Sequence, residues 1–143
     1  MFLEGLKYLH SILSFRYEKY WIPFILSNSE DYETDLEFLP PIDIHWVWHV
    51  HMLAPLHYAH DLTESSLRRI INHTPEDLLG ESAISKRKKT AAKWSNLFPE
   101  VPFEIDLKTI IPEENEFKSP ISYDILSASA RQKIFYYQVR NNL

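Results

Sequence analysis

From the start of the chain, apolar side chains recur at spacings of three and four. Phe2, Leu6, Leu9, Leu13, Tyr17, Tyr20 and Phe24 fall on one line of a helix with 3.6 residues per turn. Leu3, Ile12, Trp21 and Ile25 widen that line, so the pattern predicts a well-buried helix over 2–26. Pro23 lacks an amide hydrogen and marks either a kink or the start of a second segment. The polar, acidic stretch 27–37 reads as a surface loop, and Pro40-Pro41 halts regular structure. Asp43 then stands where a helix N-cap belongs, with Trp46, Val50 and Leu53 as the apolar stripe behind it. Pro55 suits the first turn of another short helix reaching to about Leu62.

Beyond Thr63 the pattern weakens. Leu67 to Ile71 is a short apolar piece without a clear period, and Asn72-His73-Thr74-Pro75 reads as a turn. Residues 82–98 suit a helix that is basic on one side, with Ala91, Trp94 and Leu97 on the other, ended by Pro99 and Pro102. Residues 103–111 alternate loosely and read as extended, and 112–120 as an acidic loop. Ser119-Pro120 opens a helix over 121–130, and a last helix over 131–139 turns Ile134, Phe135 and Tyr137 or Gln138 inward. The expected fold is mostly α: a compact bundle of about five to seven helices with proline-rich connections and little or no sheet. No repeat, low-complexity tract or long linker divides residues 1–143, which read as one domain.

Composition narrows the function classes. A chain of 143 residues buries a core without disulfides, and an aromatic share of 14% makes that core bulky and in need of partners for its polar ring tips. Only Gly5 and Gly80 are glycine, which excludes a glycine-rich phosphate loop. A net charge of −5 argues against a broad nucleic-acid surface, and the basic run Lys86 to Lys89 reads as a solvated helix face. Without cysteine, any metal must be held by nitrogen and oxygen. Met1 to His10 has no unbroken apolar core, so no signal peptide is expected there, and no apolar stretch is long enough to span a membrane. A cytoplasmic or nuclear location is the expectation.

Chemistry concentrates in one place. Five of the seven histidines lie between 45 and 60. His45 and His49 share a helix face, and His57, His60 and Asp61 form a second set on the next segment. Folded together, such groups suit zinc, or non-haem iron where two histidines meet one carboxylate. Against this, His49 and His51 are two apart and point to different sides, there is no H-E-x-x-H, and a histidine flanked by tryptophans is often a hydrogen-bonded core residue. Trp46 and Trp48 lie about 200° apart on a helix. Either one of them lines a pocket or interface, or both are wrapped by neighbouring helices. Neither Ser11 nor Ser122-Tyr123-Asp124 forms a recognisable nucleophile arrangement. Asn72-His73-Thr74 matches a glycosylation sequon, idle without secretion.

The segment 40–61 resembles the signature of the glycine-rich domain-containing protein family, through Pro40-Pro41, Asp43, Trp46, Trp48, His49, His51, Leu53, Pro55, Tyr58 and Asp61. Tyr20-Trp21-Ile22-Pro23, Lys93 to Pro99 with Pro102-Phe103, Tyr123 to Leu126, Arg131-Gln132 and Phe135 to Val139 are similar to other parts of its shared domain. The likeness does not extend to His45, His57 or His60, and Val50 stands where plant members commonly have cysteine. The stretch 1–143 itself carries neither the family's glycine-rich region nor an RNA-binding module, and if it is a whole protein the likeness implies the bare helical domain. The family is linked to plant stress and development, and no reaction is named for it.

Two readings follow. In the first, the domain is a binding or interaction module for a protein or small-molecule ligand. It uses Asp43, Trp46, Trp48, His49, His51, Tyr58 and Asp61, with no catalytic residue and no cofactor. In the second, His49 and His51 with Asp43 or Asp61 hold zinc or iron in an enzyme or metal-binding domain. Nucleic acid through Lys86 to Lys89 is a distant third, and no membrane partner is expected.

Overall fold

Pro23 decides how the first helix is built. In the computed structural model, which describes residues 12–64, 69–73, 80–106, 124, 127–128 and 131–132, the chain is α-helical over 12–16. Tyr17–Trp21 then forms one π-helical turn, in which the Ile22 amide reaches back to the Tyr17 carbonyl. The α-helix resumes as α1, Ile22–Asn28, with Pro23 in its first turn. A proline in regular helix has no hydrogen to offer the carbonyl four residues back, and its ring collides with that carbonyl. Widening the turn before it lets the helix continue past both problems. The widened turn also sets the inward face, where Arg16, Tyr17, Trp21, Phe24 and Ile25 are all buried.

The stretch expected as a surface loop contains a short helix, α2, Tyr32–Asp35. Asp31 caps it by accepting from the Glu33 and Thr34 amides, while the Thr34 hydroxyl accepts from the Asp31 amide. The cap places Asp35 inside, at 1% exposure. Its Oδ1 accepts from the Ser29 hydroxyl (2.6 Å) and Arg69 Nη2 (2.8 Å), and its Oδ2 from Arg69 Nη1 (2.7 Å) and the Asn72 amide (2.9 Å). Burial alone raises a carboxyl pKa. Here the Arg69 guanidinium, the Ser29 hydroxyl and the Asn72 amide outweigh it and hold Asp35 below the usual range. A polar, acidic composition hid an element whose one inward carboxylate has its partners supplied from a distant segment.

Helix α3, Ile42–Met52, starts from Pro41, so Asp43 lies in the first turn and is not the N-cap. Its buried line is Ile44, Val47, Trp48 and His51, with Val50 beside it, while Trp46 is half-buried and Leu53 is exposed. The expected stripe of Trp46, Val50 and Leu53 is therefore corrected at two of three positions. Large apolar side chains surround α3 on nearly every side, so spacing alone could not choose its inner face. Leu53 and Ala54 connect it to α4, Pro55–Glu64, which turns Tyr58 and Leu62 inward.

Helix α5, Glu81–Leu97, follows Gly80 and buries Ala83, Thr90 and Trp94. Leu97, expected inside, is 41% exposed. The Leu39 amide donates to the Thr90 hydroxyl (3.0 Å), and Trp94 Nε1 donates to the Val101 carbonyl (2.8 Å), so the C-terminal half of α5 is tied down at two points of its inner face. Residues 103–106 are irregular, and no strand occurs among the described residues. The fold is thus mostly helical, as expected. The acidic loop 112–120 and most of the helices expected over 121–130 and 131–139 lie outside the described residues; 127–128 and 131–132 are helical.

The core is aromatic. Trp21 stacks on Phe24 (5.5 Å between ring centroids) and meets Trp48 (5.5 Å), while Phe24 also meets Phe38 edge-on and Trp94 at a tilt. Such pairs add about 0.5–1.5 kcal/mol each beyond the area they bury. The Asp35 site gives a direct test of a polar contribution to this fold. Asp35→Ala strands the Arg69 guanidinium and is expected to cost about 3 kcal/mol in urea denaturation. Glu37→Ala removes an ion pair with Lys89 that is exposed on both sides, and should leave the midpoint unchanged.

Candidate functional site

Five of the seven candidate residues point inward and find partners there. At the first turn of α3, Asp43 Oδ2 accepts from Arg16 Nε (2.8 Å), and both side chains are almost wholly buried. The Arg16 guanidinium also donates to the Pro102 and Phe103 carbonyls, at 2.9 and 2.6 Å, and lies over the Trp94 ring. In the middle of α3, Trp48 Nε1 donates to the Tyr58 hydroxyl (3.0 Å), which donates in turn to the Ile71 carbonyl (2.8 Å).

Near the end of α3, His51 is fully buried between Tyr17 and Asp61. Its Nε2 lies 3.0 Å from Asp61 Oδ2 and its Nδ1 2.9 Å from the Tyr17 hydroxyl. An ionised carboxylate only accepts, so Nε2 carries the proton. The Nδ1 of a neutral ring then accepts, and Tyr17 donates. Burial lowers the His51 pKa by more than Asp61 raises it, which keeps the ring neutral. Burial likewise pushes the Tyr17 hydroxyl well above its ordinary value, so it stays protonated.

A carboxylate, an imidazole and a hydroxyl in a row resemble a proton relay. Here the chain is buried: both ring nitrogens are engaged, and the Tyr17, His51 and Asp61 side chains are almost wholly out of solvent. The cleft against Trp48, lined also by Asp35, Phe38, Leu39 and His73, has room for roughly one water.

The other two candidates face outward. Trp46 is half-buried and His49 exposed, with their rings 6.2 Å apart. His49 and His51 therefore sit on opposite sides of α3, and Asp43 is turned to Arg16. The proposed ligand set of His49 and His51 with Asp43 or Asp61 is not assembled. Among the described residues, no three histidines or carboxylates gather in a metal-holding arrangement. His45 meets a residue that spacing did not suggest: its Nε2 lies 2.9 Å from His73 Nε2, and the rings stack at 5.1 Å. His57 and His60 are exposed.

The glycine-rich domain-containing protein-like family matches residues 62–143, more than half of the chain. The chain belongs to this family. It is similar to glycine-rich domain-containing protein 1 of Arabidopsis thaliana, 34% identical over 131 residues, covering 87% of the chain and 16% of the relative. Glycine-rich domain-containing protein 2 of the same plant is 29% identical over 129 residues, with the same coverage. At that coverage the alignments cannot omit segment 40–61, which the family match itself does not reach. The chain thus spans about a sixth of the length of these relatives. No solved structure matches it.

Sequence reasoning found the segment and missed its partners. Arg16, Tyr17, Asp35, Arg69 and His73 lie far from 40–61 or in apolar or loop surroundings, and only Arg16 carried a signal, as a charge within an apolar helix. Two outcomes follow. Tyr17→Phe removes the hydroxyl that donates to the buried His51 Nδ1 and should cost about 1–2 kcal/mol in chemical denaturation. The second concerns acid. Burial, then the neighbouring His73, His49 and Arg87, push His45 down to about 4, and His51 is also lowered. An unfolded histidine takes its proton near 6.5, so the unfolded chain binds more protons between about 4 and 6.5. Stability should fall as pH drops through that window, and His45→Asn should flatten the slope in a pH series of melting curves.

Proposed function

We propose that this domain is a protein-interaction module whose contact surface is the outer face of α3 and the start of α4. The observation that carries the reading is the division of segment 40–61 into two sides. The inner side, Asp43, Trp48, His51, Tyr58 and Asp61, is spent on internal hydrogen bonds. The outer side carries Ile42, Trp46, His49 and Leu53 at four-, three- and four-residue intervals, which is one helix face, and Leu56 follows it. Ile42 is 60%, Leu53 49% and Leu56 85% exposed. Apolar side chains aligned in water add nothing to folding and are the usual material of an interface core, with tryptophan prominent in it. The domain's place as a small part of long relatives is in keeping with such a role.

The test separates binding from folding. A photo-crosslinker placed at position 49 should give a discrete set of protein adducts in cell extract. Leu53→Ser with Leu56→Ser should abolish those adducts while shifting stability by less than about 0.5 kcal/mol. An unchanged adduct set, or a domain that unfolds when these exposed residues are altered, removes the reading.

A further inference from the structure

Charge is unevenly placed in this fold. Helix α5 holds five of the fifteen basic residues and one of the twenty acidic ones. It is therefore net +4, while the rest of the chain is net −9. A face kept only for solubility mixes signs, and like charges one turn apart, as at Lys89 and Lys93, slightly weaken a helix.

The fold arranges these charges on one side. Ala83, Thr90 and Trp94 occupy the inner line of α5, so Lys88, Lys89 and Lys93 stand on its outer half, all exposed. The Leu39–Thr90 hydrogen bond holds α5 beside the residues that lead into α3. There the Lys89 and Lys93 ammonium groups lie over the Phe38 ring, 5.5 and 5.2 Å from its centre. Phe38 is itself buried and meets Phe24 edge-on, so the core fixes this floor. The Glu37 carboxylate accepts from Lys89 at the same place. Lys89, and Lys93 after it, hold that carboxyl below its usual range. Glu37 thus shows what the patch accepts. The Glu37–Lys89 pair is exposed on both sides and contributes little to folding, so an outside carboxylate can join or displace it. With Glu37 counted, the group is still net +3.

We propose that the outer face of α5 binds a short acidic segment of a partner protein, whose carboxylates bridge Lys88, Lys89 and Lys93. Length decides between the acidic classes. From Lys86 to Lys93 the helix rises about 10 Å, the reach of about three extended residues. A longer nucleic-acid strand runs off the helix toward a remainder that repels it. The face uses no residue of α3 or α4, so it stands or falls separately from the interaction surface there.

A fluorescein-labelled peptide of ten glutamates is the probe, read by fluorescence anisotropy. It should bind at low salt and be released toward about 1 M salt, where charges are screened within about 3 Å. Lys88→Glu with Lys93→Glu should weaken binding about tenfold or more and leave the melting curve unchanged. Glu37→Gln removes the internal competitor and should strengthen binding by up to about fivefold. Glu64→Gln makes the same charge change on α4 and should have no effect. That contrast separates a built patch from attraction to overall charge, and it decides the matter even where the double variant fails to fold. Absence of binding at low salt, affinity indifferent to the lysine changes, equal effects of the two glutamine variants, or tighter binding of a ten-nucleotide RNA overturns the proposal.

Discussion

The imidazole of His51 joins three helical segments in a volume closed to water. Through Tyr17 it holds the π-turn of the first helix, through its own backbone α3, and through Asp61 the last turn of α4. Each group has one protonation state that satisfies the others: carboxylate, neutral ring with the proton on Nε2, and hydroxyl. Changing any member strands a buried polar atom, and this all-or-none character makes the chain a constraint on geometry more than a source of net energy. Trp48, Tyr58 and the Ile71 carbonyl repeat the device on the same side of α3.

Around that constraint the domain divides its histidines and tryptophans by side. On the inside, Asp43, Trp48, His51, Tyr58 and Asp61 each hold a partner from another segment. On the outside, Trp46 and His49 carry no such duty, which is why binding is sought there. Arg87 differs from both: it is half-buried on the inner line of α5 with its Nε–H unspent.

Much of the architecture was legible because it follows from local rules. The helices around 12–28, 42–52, 55–64 and 81–97 follow from apolar spacing and proline placement, and Pro55 begins α4 as expected. Three features were not legible, each for a definite reason. The π-turn depends on how the helix accommodates Pro23, and kink and continuation look alike in one dimension. Helix α2 is announced only by Asp31 and Thr34, and the burial of Asp35 requires Arg69, thirty-four residues away. The inner face of α3 was misassigned because tryptophan, valine and isoleucine occupy nearly all its sides.

What the sequence by itself determined was a cysteine-free, mostly helical domain and the place, 40–61, where its unusual residues concentrate. Spacing dictates helices, and composition excludes phosphate loops and disulfides, whatever the tertiary arrangement. Which histidine is core and which is surface was decided only in three dimensions. That choice turns on partners for ring nitrogens, and the partners, Tyr17, Asp61 and His73, come from other segments. A histidine's chemistry is set by what its two nitrogens face. In this chain His51 faces a buried carboxylate and hydroxyl, while His45 faces another imidazole.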